Sequence, residues 1–341
     1  MAVSIPRGLE PPALLLLLAG GELHSGESLA TELGQTRAAV WKGVERLRAL
    51  GIEVQAQARR GYQLPSPVEM LDAERLLREL KEPGRARLRQ LEVLFEVDST
   101  NTRLMKSPPP PYGCADVCIA ELQNAGRGRL GRRWLAPFGS GIAMSVGWAF
   151  SDGARALPAL SLGVGVAVAR ALARIGAMQM NLKWPNDIWF RDRKVGGVLV
   201  EIRAEAGGPA HVVIGVGINV SVPAAERNKM EASGAHVAAV EDACQAPPSR
   251  NRIAGALLDE LLGMLCEFEQ AGFAKFRDEW MALDALGGRA VRVLVGERAT
   301  SGIARGVDMD GALLLEMNGQ MQRFVSGEAS LRLAESGARC C

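Results

Sequence analysis

The sequence predicts an α+β protein of three domains, and three consecutive patterns predict it. Short helical segments and two β-like runs fill residues 1–66, β-like runs alternate with helices over 67–286, and glycine-punctuated strands occupy 287–333. A chain of 341 residues has room for several domains, because a single hydrophobic core rarely grows past roughly 250 to 300 residues. The boundaries are placed at the stiff Pro65–Pro67 connector and just before Gly287.

Three short helices are predicted at the start of the chain. They cover 12–19, the segment after Ser25, and the segment between Thr36 and Gly51. Serine and threonine are favoured N-cap residues, since their side chains accept a hydrogen bond from a free backbone N–H, and glycine favours the position after a helix. The last two helices are separated by a tight turn, which predicts a helix-turn-helix.

A basic hairpin is predicted next, with β-like runs at 52–57 and 62–64. It would form the wing of a winged helix-turn-helix, which places its second helix in the major groove of DNA. The side chains predicted to face DNA are Arg37, Trp41, Lys42 and Glu45 on the helix, and Arg59 and Arg60 on the wing. Residues 1–66 carry seven Lys and Arg against six Asp and Glu, a net of +1. Because this charge is small for a DNA-binding domain, a purely structural role is the alternative.

The composition is that of an ordinary globular protein, with 48% hydrophobic and 23% charged residues. No apolar run reaches the ~20 residues that a membrane-spanning helix needs. The six cysteines, at 114, 118, 244, 266, 340 and 341, have neither the density of a disulfide framework nor CxxC metal spacing. We therefore expect a cytoplasmic protein without a membrane segment. A net charge of +2 does not by itself indicate a nucleic-acid partner.

The region 67–286 is predicted to form a mixed sheet covered by helices. Its β-like runs lie at 92–97, 117–121, 142–148, 198–203 and 212–216, and its helical runs at 71–80, 157–177 and 253–270. The polar stretch 221–242 is expected to be an irregular loop. The strands predicted at 290–295, 300–307 and 313–317 suit a small barrel, in which no residue indicates reactive chemistry.

The motif Gly126-Arg-Gly-Arg-Leu-Gly-Arg132 is the first with chemical content. Its glycines satisfy G-x-G-x-x-G, but no helical pattern follows, so it does not fit the dinucleotide-binding fingerprint. Four arginines and no acidic residue lie between Glu121 and Asp152. Arginine pairs with phosphate or carboxylate in bidentate fashion, and glycine lets backbone amides approach the same anion. The motif predicts an anion-binding loop, and a solvated surface loop is the alternative.

Three further segments combine polar side chains with turns or glycines. Lys183-Trp-Pro-Asn-Asp187 and Lys194-Val-Gly-Gly197 form either a phosphate and carboxylate site or a plain turn between strands. Ile214–Val220, with glycines at alternate positions, is either a buried strand or a ligand-binding strand. Asp98-Ser-Thr-Asn101 offers small neutral hydrogen-bonding groups, and a helix cap is its alternative.

These motifs resemble those of biotin protein ligases. Segment 121–134 is similar to the biotin-binding loop of that family, with Asn124 where threonine is usual, and the two lysine segments and 214–220 are similar to its ATP site. Gly26–Gly34 and Thr36–Lys42 resemble the DNA-binding domain of the ligases that also repress the biotin operon. The resemblance implies a class II synthetase-like central domain and a C-terminal SH3-like barrel.

The resemblance also implies a reaction and its partners. Biotin would attack ATP in the presence of Mg²⁺ to give biotinyl-5'-AMP, and a lysine of the biotin carboxyl carrier protein of acetyl-CoA carboxylase would then take the biotinyl group. The arginine-glycine loop would order over the adenylate. Operator DNA would be a second partner, bound by a homodimer that forms when the adenylate is present.

The matching positions define the implied site. The biotin-binding residues are Ser99, Thr100, Asn101, Gln123, Arg127, Gly128, Arg129 and Lys194. The nucleotide-binding residues are Arg129, Arg132, Trp134, Lys183, Asn186, Gly217 and Asn219. The catalytic residues are Arg129, Lys183, Asp187 and Lys194, with Asp187 as the candidate ligand of Mg²⁺.

Three alternatives stay open from the sequence. A lipoate or octanoate ligase is disfavoured by the Ser-Thr-Asn segment, because lipoate has no ureido ring to hydrogen-bond. A biotin-sensing repressor without catalysis is disfavoured by the presence of both Lys183 and Lys194. The third is a biotin ligase that does not bind DNA.

Overall fold

The structure of the chain is a computed structural model. It describes residues 10–326 and 329–333, with gaps at 151–156, 158, 205–209, 233, 235 and 247. Residues 1–9 of the predicted first domain and the cysteines at 340 and 341 lie outside the described residues.

The N-terminal region forms the predicted three helices and hairpin. They are α1 (Ala13–Leu18), α2 (Gly26–Glu32), α3 (Arg37–Ala49), β1 (Gln55–Gln57) and β2 (Gly61–Gln63). The side chain of Ser25 accepts a hydrogen bond from Ser28 N at 3.0 Å, and that of Thr36 accepts one from Ala39 N at 3.2 Å. Both predicted N-caps are therefore confirmed.

The first hairpin strand is shorter than predicted. It begins at Gln55 rather than at Ile52. Ile52 and Val54 are buried in the core beneath the helices, and the pairing with β2 starts only after them. The apolar residues that suggested a longer strand therefore serve the helical core.

The central region contains the predicted mixed sheet, with seven strands rather than the five that the sequence indicated. Its strands are β3 (Leu88–Val97), β4 (Ala115–Gln123), β5 (Gly141–Phe150), β6 (Asn181–Lys183), β7 (Asp187–Phe190), β8 (Arg193–Ala204) and β9 (Ala210–Asn219). The spatial order is β3-β4-β5-β9-β8-β7-β6, in which β3 and β4 are parallel and the other neighbours are antiparallel.

Helices cover both faces of this sheet. They are α4 (Ala73–Glu79), α5 (Gly84–Arg87), α6 (Thr100–Lys106), α7 (Leu160–Arg174), α8 (Ala224–Ala232), α9 (Arg250–Ala271) and α10 (Arg277–Ala282). The long helices α7 and α9 bury their apolar residues in one large core with the sheet. Helix α6 packs on the opposite face, where Leu104 contacts the cluster of Cys118 and Val213.

Helix α8 corrects the expectation of an irregular loop over 221–242. Residues 224–232 are mostly Ala, Glu, Arg, Lys and Met, which have high helix propensity, and this outweighs their lack of an apolar face. Arg227 within the helix pairs with Asp242 at 3.1 Å, which fixes the helix against the end of the same stretch.

The C-terminal region is a five-stranded antiparallel sheet packed on the central region. Its strands are β10 (Ala290–Val295), β11 (Arg298–Val307), β12 (Leu313–Met317), β13 (Gln320–Phe324) and β14 (Ala329–Leu333), in the order β13-β12-β11-β10-β14. Val291 and Leu331 belong to the same buried core as α7 and α9. Trp184 Nε1 also donates to the Gly311 carbonyl at 3.1 Å.

The N-terminal helices share their core with the central sheet. Phe95 of β3 and Leu122 of β4 are buried in the cluster that contains the helical leucines. The rings of Phe95 and Phe138 meet edge to face with centroids 6.4 Å apart. Because Phe138 lies in the connection from β4 to β5, the first domain contacts the segment that carries the arginine-glycine motif. Within the described ranges, no helix combines the length and apolarity needed to cross a membrane.

Candidate active site

A cavity of about 200 Å³ collects most of the predicted site residues. Four strands of the central sheet contribute to its wall: the end of β4, the first half of β5 and of β8, and the second half of β9. The start of α6, the arginine-glycine loop, the 183–187 turn and strand β14 complete the wall. Met144, Val198 and Leu199 supply apolar wall. A cavity with apolar walls and a few convergent polar groups is the usual form of a small-molecule site.

One end of the cavity presents neutral hydrogen-bonding groups. Ser99, Thr100 and Asn101 are almost fully buried there. Ser99 is the N-cap of α6 and accepts from Thr102 N at 3.4 Å, so the segment caps this helix and also lines the cavity. Gln123 Oε1 accepts from Thr100 N at 2.9 Å, which leaves the Gln123 amide group as a donor at the cavity wall.

A second layer of polar residues lies behind this wall. Ser145 of β5 is fully buried, and its Oγ lies 2.7 Å from Thr100 Oγ1 and 2.6 Å from Asn101 Oδ1. Asn101 Nδ2 donates to Glu201 Oε2 at 2.9 Å. A Cβ at position 215 would collide with the Asn101 amide, so Gly215 provides the space that this amide occupies.

The arginine-glycine loop closes one side of the cavity. Within the loop, Gly128 N donates to the Arg132 carbonyl at 2.7 Å and Trp134 N donates to the Gly126 carbonyl at 2.9 Å. Arg127 pairs with Glu201. All four arginines of the loop line the cavity, although Arg127, Arg132 and Arg133 are also exposed to solvent.

Arg129 joins the loop to two other regions of the chain. Its guanidinium donates to Asn186 Oδ1 at 3.2 Å and to the backbone carbonyls of Ser326 and Ala329. Burial lowers the pKa of the Arg129 guanidinium, an effect that the nearby Asp187 carboxylate opposes. Since the loop, the 183–187 turn and the C-terminal sheet meet at this side chain, the C-terminal region takes part in building the cavity.

The other end of the cavity is strongly basic. Lys194 Nζ lies 2.5 Å from Asp187 Oδ1, and Lys183 Nζ lies 3.8 Å from the other oxygen of that carboxylate. Burial lowers the pKa of Lys183; Asp187 opposes this shift, whereas Lys194, Arg332 and Arg132 add to it. A buried lysine surrounded by other cations is suited to a polyanionic ligand, which would supply the missing negative charge.

The charge of the lining residues supports the same ligand class. Seven basic side chains line the cavity: Arg127, Arg129, Arg132, Arg133, Lys183, Lys194 and Arg332. Asp187 is the one acidic side chain among the described lining residues. The cavity therefore has a neutral end and a cationic end, which suits a ligand with a neutral head and an anionic tail beside a polyphosphate.

Trp134 packs directly on the backbone of β9. A Cβ built at Gly217 would lie 2.5 Å from the indole ring, so only glycine allows this contact. The Lys194 ammonium also lies 5.9 Å from the Trp134 ring centroid. The alternate glycines of 214–220 therefore serve the site as well as the packing of the strand.

Asn219 is the one predicted pocket residue that the structure does not place in the cavity wall. It is buried, and its Nδ2 donates to the Ala238 carbonyl at 3.1 Å. That bond ties the end of β9 to the segment after α8, so the observed contact of Asn219 is structural.

The six predicted DNA-facing residues are all exposed on the N-terminal domain. Arg37, Trp41, Lys42 and Glu45 are exposed along α3, and Arg59 and Arg60 are exposed on the turn between β1 and β2. Trp41 is 54% exposed.

Several site residues were missing from the sequence interpretation. They are Ser145 and Glu201 behind the wall, and Ser330, Leu331 and Arg332 in it. Ser145 stands within an apolar run, and Glu201 ends another, so neither carries a motif. The β14 residues reach the cavity only because the C-terminal sheet docks against the loop, and no residue of that sheet was named as a site residue from the sequence.

The residues around Asp187 fit a divalent cation of the Mg²⁺ type. No group of three His, Cys, Asp or Glu side chains that could hold a metal alone occurs in the described part of the chain. Mg²⁺ is usually bound by one or two carboxylates together with substrate phosphates and water. Asp187 supplies one carboxylate and Asn186 an amide oxygen at the cationic end of the cavity.

Comparison with known proteins gives three family matches, one in each of the three regions. Residues 13–63 match an HTH domain, residues 94–219 the biotin/lipoate A/B protein ligase family, and residues 286–332 the biotin protein ligase C terminal domain.

Individual relatives and a solved structure agree with these matches. The bifunctional ligase/repressor BirA of Escherichia coli is 39% identical over 95% of this chain and 98% of its own length. The protein of the same name from Bacillus subtilis is 31% identical over 92% of this chain and 95% of its own. The biotin protein ligase of Aquifex aeolicus, solved with biotin and ATP, matches with a TM-score of 0.60 and 29% identity, covering 72% of this chain and 99% of that one.

Proposed function

The chain belongs to the family of bifunctional biotin ligases and repressors, and from this premise we propose how its cavity works. The protein is an ATP-dependent biotin protein ligase. It activates the biotin carboxylate as biotinyl-5'-AMP and transfers the biotinyl group to a lysine of a biotin carboxyl carrier domain. The proposal rests on the fact that one and the same cavity has a neutral, hydrogen-bonding end and a cationic end.

The neutral end would hold the ureido ring of biotin. Ser99, Thr100, Asn101 and Gln123 offer donors and acceptors without charge, which match a neutral ring that has one carbonyl and two N–H groups. The apolar wall at Met144 and Leu199 would contact the valeryl chain and thus point the carboxylate toward the basic end.

The basic end would carry out the activation. A carboxylate oxygen attacks the α-phosphorus of ATP, a P–O bond forms, and the bond to the β-phosphate oxygen breaks to release pyrophosphate. Lys194 would stabilise charge on the carboxylate and the α-phosphate, and Lys183 the departing pyrophosphate, because fixed cations in a water-poor site stabilise developing charge. Arg132 and Trp134 would contact the nucleotide, and Arg129 would hold the loop over the adenylate.

Magnesium, when bound, would neutralise part of the charge on the phosphates. Asp187 and Asn186 would hold it with the phosphate oxygens. Transfer follows when the amine of the carrier lysine attacks the carbonyl carbon of the mixed anhydride and AMP leaves. Closure of the loop at Arg127, Gly128 and Arg129 would protect that anhydride from water.

A biotin-dependent exchange of labelled pyrophosphate into ATP tests the activation step. The expected result is exchange that requires biotin and Mg²⁺ and that is not supported by lipoate. Exchange with lipoate alone would favour the lipoate ligase alternative, and exchange with neither acid would contradict the assignment.

We also propose that the N-terminal domain binds operator DNA as a biotin-responsive repressor. The exposed surface of α3 and the wing, together with the HTH match over 13–63, supports this second function. The net charge of +1 in residues 1–66 favours binding as a dimer, since two half-sites together supply the affinity that one domain lacks. We further propose the division into domains at 1–66, 67–286 and 287–333.

A titration of biotin-operator DNA with protein, with and without biotinyl-AMP, tests the repressor function. Binding is expected to tighten when the adenylate is present, and the double variant Arg37→Ala/Lys42→Ala is expected to abolish it without reducing biotin ligation. Dimerisation is followed by sedimentation in the same samples. If the adenylate changes neither DNA binding nor the sedimentation of the protein, the protein is a ligase alone.

A further inference from the structure

Glu201 lies behind the neutral end of the cavity, where it joins two parts of the site. It does not line the cavity. One carboxylate oxygen accepts from Asn101 Nδ2 at 2.9 Å, and the other pairs with Arg127 of the arginine-glycine loop. Its side chain is 19% exposed, so solvent screens these contacts only in part.

Two acceptors orient the Asn101 amide: its Nδ2 donates to Glu201 Oε2 at 2.9 Å and, over a longer distance of 3.4 Å, to the Leu199 carbonyl. An ionised carboxylate can only accept hydrogen bonds, so the amide must turn its Nδ2 toward Glu201. Its Oδ1 then faces Ser145 Oγ at 2.6 Å, and since Oδ1 can only accept, the Ser145 hydroxyl must donate to it.

The orientation continues from Ser145 to Thr100. The single hydrogen of the Ser145 hydroxyl is used on Asn101, so the 2.7 Å contact between Ser145 and Thr100 requires Thr100 to donate. Thr100 Oγ1 also lies 3.2 Å from Gln123 Oε1, a second acceptor for the same hydrogen, but Ser145 is the nearer of the two. The donation therefore runs from Thr100 to Ser145, to Asn101 and to Glu201. Thr100 Oγ1 is left with lone pairs at the cavity wall and no free hydrogen, which makes it an acceptor for an N–H group.

We propose that Glu201 is a positioning residue for biotin recognition, which acts through Asn101 and Ser145 to fix Thr100 as a hydrogen-bond acceptor. With Gln123 Oε1 occupied by Thr100 N, the wall presents an acceptor at Thr100 and a donor at Gln123. These suit the N–H and the carbonyl of a ureido group. The inference rests on the proposed biotin ligation and adds two residues that do not touch the ligand.

The test uses Glu201→Gln in the full chain. A glutamine amide can offer either an oxygen or an N–H to Asn101, so both directions of donation become possible. Biotin binding measured by calorimetry without ATP is expected to weaken about tenfold, which is the effect of losing one well-placed hydrogen bond. The KM for ATP is expected to stay within about twofold.

Glu92→Gln is the matched control. Glu92 is also a shielded carboxylate, since its side chain is 7% exposed. It pairs with Arg103, which lies on α6 together with Asn101. It contacts none of the residues in the chain of donation. The thermal unfolding midpoint of Glu92→Gln shows how much fold stability is lost when such a carboxylate is neutralised. The biotin affinity of this variant is expected to equal that of the wild type.

A double-mutant cycle with Ser145→Ala separates positioning from general loosening of the site. Because Ser145 and Glu201 act in one chain of hydrogen bonds, each single variant and the double variant are expected to bind biotin about tenfold more weakly than the wild type. Additive losses in the double variant, or a Glu201→Gln affinity equal to that of Glu92→Gln, would overturn the inference. A wild-type protein that binds no biotin would instead overturn the proposed function.

Discussion

Asp187 holds Lys194 at 2.5 Å while its second oxygen faces Lys183 at 3.8 Å. The carboxylate is thus shared by the lysines of two separate sequence motifs. The β7 and β8 strands create this arrangement, because Asp187 pairs with Gly197 across the two strands and brings 183–187 beside 194–197. An incoming carboxylate or phosphate would compete with Asp187 for these lysines.

The substitution Lys194→Met should remove most of the adenylation activity. Loss of a preorganised charge near the reacting phosphate typically lowers the rate by about 10² to 10³. Biotin-dependent pyrophosphate exchange measures this step without the carrier protein. Lys106→Met is the control, because Lys106 is 74% exposed and lies outside the cavity. Exchange by Lys194→Met at the control rate would exclude the proposed role.

The substitution Lys183→Met should stabilise the fold at neutral pH although it removes activity. The pKa of Lys183 is lowered in the folded protein, mainly by burial, so the protonated form opposes folding at pH values below the folded pKa. Between the folded pKa and the unfolded value of about 10.4 the unfolded chain binds more protons, so the wild type becomes relatively more stable as the pH rises.

The urea-unfolding free energies of both proteins, measured at neutral pH and at about pH 10, test this sign. At neutral pH the unfolding free energy of Lys183→Met is expected to exceed that of the wild type, and this difference should be smaller at about pH 10. A difference that grows with pH would show that the pKa of Lys183 is raised instead.

The substitution Arg129→Gly should speed the loss of biotinyl-AMP and make labelling less selective. The guanidinium connects the loop to Asn186 and to the C-terminal sheet, and these charge-assisted bonds are lost together. Dissociation of the adenylate is expected to quicken at least about tenfold, with new labelling of a bystander protein. Arg191→Gly is the control, since Arg191 adopts a φ of 49° that glycine tolerates. Equal dissociation from the two variants would refute the proposed closure.

The substitution Gly217→Ala should displace Trp134 and weaken nucleotide binding. The added methyl group would lie 2.5 Å from the indole, so the ring must move. Overpacking of this kind corresponds to about a tenfold rise in the KM for ATP, with little change in biotin affinity measured without ATP. Gly263→Ala is the control, because nothing lies within 4 Å of its added Cβ. An unchanged KM for ATP would remove Trp134 from the nucleotide site.

Local sequence signals predicted the N-terminal domain well. The caps at Ser25 and Thr36 depend on side-chain bonds to residues only three positions away, and both are present. The long runs that became β3, β4, β5, β8 and β9 were also recognised, because buried strands are strongly apolar. The start of α6 was predicted only as the helix-cap alternative for Asp98–Asn101, and its extent to Lys106 was not predicted.

The parts of the site that depend on tertiary contacts could not be predicted from motifs. Arg332 reaches the cavity only because the C-terminal sheet packs beside Arg129. Ser145 and Glu201 stand on strands from opposite parts of the central region, and only the order of the sheet brings both to Asn101. Such residues have no local signature, because their role comes from the fold around them.

The most direct test of the central claim is the mass of an acceptor domain after incubation with the protein. A biotin carboxyl carrier domain is mixed with biotin, ATP and Mg²⁺, and a parallel reaction contains lipoate in place of biotin. The acceptor is expected to gain the mass of one biotinyl group in the first reaction and to stay unchanged in the second. An unmodified acceptor with biotin, or a lipoylated one in the parallel reaction, would contradict the central claim.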